Sequence, residues 1–207
     1  MEPLDKILGA AIELFRQYGF KTITMDDIAR RAGISKKTLY QHFANKNEVV
    51  TETVNWYRDK ISTECVSIMH DSENAIQAMV RVIGMFDNIN RQMNPLAMLE
   101  MERFFPEAFK QFRSKMDEDI ENIRNNMERG IQEGLYRAEI DTDFMARYRL
   151  DLSFLGYTPG LLIKENHDLF SVARAISEHF LYGIMTPKGE KLYLKYKEQY
   201  FKQVSNI

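Results

Sequence analysis

Apolar side chains recur at steps of three and four residues along almost the whole chain, and this spacing is what most limits its fold. It places the apolar residues on one face of an α-helix, whereas a half-buried strand needs strict alternation. No segment alternates with the period of a strand, and only 10 glycines and 5 prolines interrupt the 207 residues. The sequence therefore predicts an all-α protein.

Composition and charge exclude several classes of protein. With 44% hydrophobic and 28% charged residues, the chain is typical of a globular protein rather than a disordered one. The longest uncharged run, residues 152–163, is shorter than the roughly 20 apolar residues of a membrane-spanning helix, so we expect no membrane contact. The N-terminus lacks a secretory pattern and Cys65 has no cysteine to pair with, which favours a cytoplasmic location.

Local start and stop signals divide the first 50 residues into three short helices and the beginning of a longer one. Gly19 and Gly33 are stop signals, because glycine tolerates the backbone conformation that ends a helix. Thr24, Ser35 and Asn45 are start signals, because their side chains can accept an unpaired backbone N–H of the first turn. An acidic residue three places after the threonine completes a variant of the capping box.

Two of these short helices, joined by a glycine-containing turn between residues 24 and 43, have the layout of a helix-turn-helix. Gly33 fits the sharp corner because it tolerates a positive φ. Leu39 and Phe43 share one face of the second helix and are expected to anchor it in the core. The residues left on its outward face are Lys36, Lys37, Thr38, Tyr40, Gln41 and His42.

Such a surface fits the major groove of B-DNA, with the N-terminal residues of the helix at the base edges. Lys36 and Lys37 are suited to guanine acceptors or phosphates, and Gln41 is suited to an adenine edge. Residues 21–46 are locally basic although the chain has a net charge of -2. Each lysine taken alone would also fit an ordinary solvated surface. The candidates for phosphate contacts are Thr24, Thr38, Tyr40, His42 and Lys46.

The segment resembles the DNA-binding domain of the TetR family of bacterial transcriptional regulators. The resemblance implies a homodimer that binds a double-stranded DNA operator, represses transcription and releases the DNA when a small molecule binds. It also implies DNA contacts at the motif positions, Ser35 included. Asp26 departs from the pattern, since an arginine stands there in some members; we assign it to stabilising the N-terminus of its helix. The matching residues are Tyr18-Gly19-Phe20, Thr24, Ile28-Ala29, Ala32-Gly33-Ile34-Ser35, Thr38-Leu39-Tyr40, His42-Phe43 and Lys46.

The resemblance also implies two domains. Residues 1–48 would form a three-helix DNA-binding domain, and residues 49–207 a helical domain for effector binding and dimerisation. The helix that begins at Asn45 would join them without a break. A dimer is needed because two recognition helices must meet successive major grooves about 34 Å apart.

Methionine and phenylalanine concentrate between residues 79 and 116. Soft and bulky side chains of this kind can line an adaptable apolar cavity, and they can equally fill a packed core. The identity of the effector does not follow from the sequence. The residues predicted to face a small, largely apolar effector are Met79, Phe86, Met98, Met101, Phe105, Phe109 and Phe112.

Two apolar helices, predicted at residues 141–163 and 168–185, are the candidates for the dimer interface. In the family that the motif resembles, these helices would form a four-helix bundle between two copies. The same residues could instead be buried within one chain. The predicted interface residues are Tyr148, Leu152, Leu155, Val172, Ile176, Phe180 and Ile184.

No signature of an enzyme or metal site stands out in the sequence. It lacks His-Glu-x-x-His, Cys-x-x-Cys, Gly-x-Ser-x-Gly and the dinucleotide fingerprint. His70, His167 and His179 are isolated, and Cys65 lies on the apolar stripe of a helix. We therefore expect no enzymatic activity, catalytic residue, metal or cofactor. One alternative stays open: an all-helical module that binds a small molecule without sequence-specific DNA recognition.

Overall fold

The computed structural model describes residues 3–157 and 168–201. These residues contain no extended strand, and one isolated bridge joins Tyr136 and Met185. The predicted all-α fold is confirmed. The ten helices of the described residues are α1 (Pro3–Tyr18), α2 (Met25–Ala32), α3 (Lys36–His42), α4 (Lys46–His70), α5 (Ala75–Arg91), α6 (Ala97–Phe104), α7 (Pro106–Gln132), α8 (Thr142–Leu155), α9 (Leu169–Ile184) and α10 (Pro187–Phe201).

Side-chain caps explain where the first helices begin and end. Thr24 accepts the backbone N–H of Asp27 at 3.2 Å, and the Asp27 carboxylate accepts the backbone N–H of Thr24 at 3.0 Å, which completes the predicted capping box. Gly19 and Gly33 adopt positive φ values of 82° and 66° at the ends of α1 and α2. The predicted starts and stops of the helix-turn-helix are therefore confirmed.

The helices are arranged in two compact units. Unit 1 contains Met1–Ser62 and Gln92–Lys115, and unit 2 contains Thr63–Arg91 and Met116–Ile207. Unit 1 thus includes α6 and the first part of α7 in addition to the helix-turn-helix. The predicted domain boundary, by contrast, divides the chain at the single position 48. This boundary stays a prediction.

In unit 1, α2 packs against both α1 and α3. The contact is close because Ala29 and Ala32, both buried, present small side chains. Phe15 of α1 stacks on Phe20 with 4.8 Å between the ring centres. Leu39 of α3 is completely buried, so this seven-residue helix is held by its apolar side rather than by its own length.

In unit 2, α5 packs against α9 and α10, and α8 packs against α9. The core contains the fully buried Tyr136, whose ring lies where Gly130 of α7 has no side chain. The Tyr136 hydroxyl lies 3.3 Å from Asn126 Oδ1, and Asn126 Nδ2 donates to the Ala75 carbonyl at 3.1 Å. The Tyr136 hydroxyl and the Asn126 side chain therefore have partners in this core.

Asp141 and Asp168 cap the two helices predicted near the C-terminal end, each by accepting a backbone N–H three residues on. α9 ends at Ile184, close to the prediction, whereas α8 ends at Leu155. The last part of the predicted helix 141–163, with Pro159 and Gly160, lies outside the described residues. Among the helices in the described ranges, none combines the length and the apolar character of a bilayer span.

Candidate nucleic-acid interface

The short helix α3 separates its side chains into an inward and an outward set. Leu39 is completely buried and Phe43, directly after the helix, is 3% exposed, as predicted. Tyr40 is 46% exposed and Thr38 is half-buried. We call the outward set the α3 outer face; it consists of Lys36, Lys37, Thr38, Tyr40, Gln41 and His42, and apart from Thr38 all of them are exposed.

The two lysines of the α3 outer face differ in their surroundings. The ammonium group of Lys36 lies 2.7 Å from Asp26 Oδ1, and both side chains are more than half exposed. Hydrogen bonding to Asp26 and attraction by its charge raise the pKa of Lys36. Asp26 stands in the first turn of α2, where we expected it to stabilise the helix, and it also holds Lys36. Lys37 has no ion pair within the described residues, so it is the more available cation for DNA.

The ammonium group of Lys46 contacts other groups of the protein, whereas a phosphate contact requires it to face the DNA. Its ammonium group donates to the Lys21 carbonyl at 3.1 Å and lies 5.3 Å from the centre of the Phe105 ring. Burial lowers the pKa of Lys46, although Glu100 and Asp27 oppose this effect. The predicted phosphate contact therefore requires that the ammonium group leave these partners.

The predicted hydroxyl contacts are occupied in helix caps. Thr24 Oγ1 donates to the Asp27 carboxylate at 2.6 Å. Ser35 Oγ accepts the backbone N–H of Thr38 at 3.0 Å and lies 2.8 Å from Thr38 Oγ1. These bonds fix the first turns of α2 and α3, and a hydroxyl oxygen has two acceptor lone pairs in addition to its proton. Contact of Thr24, Ser35 and Thr38 with phosphate stays a prediction.

A carboxylate from α6, which our sequence analysis missed, stabilises the corner between α1 and α2. Glu100 Oε2 accepts the backbone N–H of Lys21 at 2.9 Å. The same carboxylate fills the space where a Cβ on Gly19 would lie, so glycine is needed there for its positive φ and for the close approach. No local signal could have revealed this contact, because its partners are 79 residues apart.

We expect Glu100→Ala to lower the free energy of unfolding of unit 1 by about 1 kcal/mol, since a charge-assisted hydrogen bond is lost at a partly exposed site. Urea denaturation followed by the fluorescence of Trp56, the single tryptophan, measures this change in unit 1. Glu102→Ala, an exposed neighbour on α6, is the matched control and should change the free energy by less than about 0.5 kcal/mol. Equal effects of the two variants would contradict the assignment.

The seven predicted effector contacts fall in both units. In unit 2, Met79 is buried in the core and Phe86 is exposed. In unit 1, Phe105 lies 6.3 Å from Phe20 between ring centres, so it helps to pack this unit. Effector contact by any of them stays a prediction. Of the remaining four, Met98 and Met101 are buried, and Phe109 and Phe112 are half-buried.

A groove of about 560 Å³ opens on the surface of unit 1, next to α1 and α2. None of the seven predicted effector contacts lines it. The residues that line this groove are Leu14, Tyr18, Thr22, Ile23, Asp27, Arg30 and Arg31.

Two of the predicted dimer residues need correction. Phe180 and Ile184 are buried in the core of unit 2, so they cannot contact a second copy. The helical period correctly placed them on an apolar face, but that face packs inside the chain. Tyr148 and Leu155 are exposed, as are two residues that we did not predict, Phe144 and Tyr182. The other three predicted interface residues, Leu152, Val172 and Ile176, are half-buried.

The isolated histidines and the cysteine lie in ordinary surroundings. His70 is exposed at the end of α4, where its Nδ1 lies 3.0 Å from the Asp71 carboxylate, and His179 is exposed on α9. His167 lies outside the described residues. Cys65 is half-buried, and burial raises the pKa of its thiol to about 12. Residues 3–157 and 168–201 bring together no group of three His, Cys, Asp or Glu side chains suited to a metal ion.

Known proteins share both the motif and the fold. Residues 7–53 match the family model for bacterial regulatory proteins of the tetR family. The HTH-type transcriptional repressor KstR2 of Mycobacterium tuberculosis is 27% identical over 169 residues, which cover 75% of this chain and 81% of that protein.

Two solved structures show the same fold at low sequence identity. A TetR-family transcriptional regulator from Agrobacterium tumefaciens superposes with a TM-score of 0.70 at 18% identity, covering 89% of this chain and 98% of that one. The transcriptional regulator FadR from Bacillus subtilis, in complex with stearoyl-CoA, superposes with a TM-score of 0.66 at 17% identity, covering 86% and 98%. Together with the exposed α3 outer face and the confirmed caps of its helix-turn-helix, these matches show that residues 7–53 form a helix-turn-helix domain of the tetR family type and that the chain has the fold of TetR-family regulators.

Proposed function

We propose that the chain is a cytoplasmic, homodimeric repressor that binds a palindromic DNA operator through α3 and releases it when a small, largely apolar effector binds. Residues 1–48 are the proposed DNA-binding domain, and residues 49–207 the proposed effector-binding and dimerisation domain. The observation that carries the proposal is the α3 outer face, whose donor-rich side chains are exposed while Leu39 and Phe43 anchor the helix. KstR2, named a repressor, supports repression, and FadR, solved with stearoyl-CoA, supports the response to a ligand.

The α3 outer face can divide the work of DNA recognition between its residues. Lys37 and Gln41 are exposed and suited to base edges in the major groove, where guanine and adenine present distinct acceptors and donors. Tyr40 and His42 are suited to phosphate oxygens, which fix the orientation of the helix. The caps at Ser35 and Thr24 hold α3 and α2 in the geometry that these contacts need.

Release of the operator follows from the length of α4. This helix begins at Lys46, directly after the helix-turn-helix, and continues to His70, so its two ends belong to different units. A displacement of its C-terminal part would be carried to the recognition helix, because an uninterrupted helix is stiff. We propose that the effector favours a separation of the two recognition helices that does not match the operator.

Dimerisation would use the exposed apolar residues of α8 and α9. Phe144 and Tyr148 stack with 6.1 Å between ring centres, and Leu155 extends this apolar stripe of α8 by two further turns. Tyr182 is the exposed aromatic residue of α9. We propose that these side chains, rather than Phe180 and Ile184, contact the second copy.

We expect Lys37→Ala to weaken operator binding about tenfold and to reduce the slope of log affinity against log salt by about one, because one phosphate or base contact is lost. Tyr40→Phe, which removes only a hydroxyl, should weaken binding by a smaller factor. Mobility shifts with the duplex upstream of the protein's own gene, at several salt concentrations, measure both effects.

Lys110→Ala provides the control, because it removes the same charge from an exposed position on α7. It should leave both the affinity and the salt slope nearly unchanged. If Lys37→Ala behaves like Lys110→Ala, the α3 outer face is not the contact surface. If the unchanged protein binds without salt dependence, the alternative of an effector-binding module without DNA recognition is favoured.

A further inference from the structure

Arg149 of α8 is a cation without a carboxylate partner in the described part of the chain. Its Nη1 donates to Ser153 Oγ at 3.1 Å, and its Nη2 donates to Ser177 Oγ at 3.2 Å. The guanidinium carbon lies 5.6 Å from the centre of the Phe180 ring. An arginine is thus held between α8 and α9 by two neutral hydroxyl groups and an aromatic ring.

Four other arginines of unit 2 differ from Arg149 because each has a carboxylate partner. Arg147, two residues away on the same helix, lies 2.7 Å from the Asp117 carboxylate. Arg174 of α9 binds the buried Asp87 through two of its nitrogens. Arg124 lies 2.7 Å from Asp143, and Arg129 lies 2.8 Å from Glu133. Among the described residues, Arg149 is thus paired with hydroxyl groups where these four arginines are paired with carboxylates; Arg81, whose Nη1 donates to Ser72 Oγ at 3.1 Å, resembles it.

The surroundings of Arg149 make its charge energetically unfavourable when no anion is bound. Ser177 and Phe180 are buried, Arg149 itself is half-buried, and Ser153 is exposed. Burial lowers the pKa of Arg149 to about 10, so the group stays charged at neutral pH. A charge taken out of water destabilises the protein unless it is paired. A guanidinium has five N–H donors in a planar fork, and the two serines accept only two of them. The remaining donors suit an anion with two coplanar oxygens.

The position of Arg149 indicates a ligand inside unit 2 rather than a second copy. Successive residues of a helix lie about 100° apart, so Arg149 does not share the exposed stripe of Phe144, Tyr148 and Leu155. Its Nη2 reaches toward the buried Ser177, on the core side of α9. Since the apolar Phe180 ring adjoins the guanidinium, a ligand that pairs with it needs an apolar body next to its charged group.

We propose that Arg149, with Ser153 and Ser177, binds the carboxylate of an amphiphilic acid that acts as the effector. This inference rests on the proposed function of residues 49–207, and it refines the effector from an apolar molecule to an apolar acid. Arg149 forms a bidentate hydrogen-bonded contact with the carboxylate, and the two serines hold the guanidinium in place. The carboxylate of the acid supplies the negative charge that none of the described residues places beside Arg149.

The test compares acids with alcohols of the same apolar body. Full-length protein is titrated by calorimetry with dodecanoate and dodecanol, and with cholanic acid and its alcohol. We expect the acid of at least one pair to bind at least about tenfold more tightly than its alcohol, the difference that a charge-assisted hydrogen bond gives. Arg149→Met should abolish this preference and retain binding of the alcohol. Arg147→Met, the matched control on the same helix, should keep the preference.

Two further measurements keep the outcome decisive. Arg149→Lys keeps the charge but lacks the planar fork, so it should fold like the unchanged protein and bind the acid with reduced preference. Sedimentation equilibrium shows whether Arg149→Met dissociates the protein instead, in which case the counter-ion comes from a second copy and the proposal is overturned. It is also overturned if no acid is preferred, or if Arg149→Met keeps the preference.

Operator binding is measured separately by mobility shift, and it is expected to survive Arg149→Met because α3 is untouched. A protein that binds its operator but prefers no acid contradicts this inference alone. A protein that binds no operator contradicts the proposed function, whatever its affinity for acids.

Discussion

Leu39→Ala is expected to abolish operator binding and to lower the free energy of unfolding of unit 1 by about 3 kcal/mol, the usual cost of truncating a fully buried leucine. Leu39 is completely buried and lies at the centre of α3, which has only seven residues. A helix this short is not stable by itself, so its position depends on the side chain that anchors it. Urea denaturation followed by Trp56 fluorescence reports the change, because Trp56 donates to Asp5 of α1 at 2.8 Å.

Tyr40→Ala is the comparison variant, because it should remove a DNA contact without destabilising unit 1. Tyr40 follows Leu39 in the chain but is 46% exposed, so its removal should change the free energy of unfolding by less than about 0.5 kcal/mol. Operator binding should nevertheless fall. If Leu39→Ala unfolds at the same urea concentration as Tyr40→Ala, then Leu39 does not anchor α3.

Gly130→Ala is expected to lower the free energy of unfolding of unit 2 by about 3 kcal/mol, at the upper end of the usual cost of overpacking. The added methyl group would overlap the Tyr136 ring, and that ring is completely buried. The Tyr136 hydroxyl also lies near Asn126, which resists a shift of the ring. The higher helix propensity of alanine offsets only about 1 kcal/mol of this cost. Thermal unfolding followed by circular dichroism measures the result.

Gly183→Ala is the matched control for this substitution, since it adds the same methyl group to another helical glycine. A Cβ at Gly183 meets no atom within 4 Å. The control should therefore be neutral, or stabilising by up to about 1 kcal/mol through helix propensity. Similar melting temperatures for the two variants would show that Tyr136 can move aside.

Local interactions account for what the sequence predicted well. The capping box joins Thr24 and Asp27, which are only three residues apart, and the glycines with positive φ act on their own helices. The spacing of Leu39 and Phe43 likewise needed only the helical period. The helix-turn-helix and the residues of the α3 outer face could therefore be predicted before any tertiary contact was known.

Tertiary contacts account for what the sequence did not predict. The helical period shows that Phe180 and Ile184 share a face, but not whether that face meets the same chain or a second copy. The acceptance of the Lys21 N–H by Glu100 depends on a fold that brings distant segments together. Arg149 has only a weak local signal: Met145 and Leu152, four residues before it and three after it, would share its helix face.

The ion pair between Lys36 and Asp26 has a consequence for selectivity among DNA sequences. When a phosphate takes Lys36 from Asp26, the freed carboxylate attracts a cation from the solution, which offsets the cation that the DNA gives up. The contribution of Lys36 to sequence-independent electrostatic binding of duplex DNA is thereby reduced. Weaker nonspecific binding benefits a protein that must search a genome. Such a protein is bound less of the time to unrelated sequences and more of the time to sites whose bases it recognises.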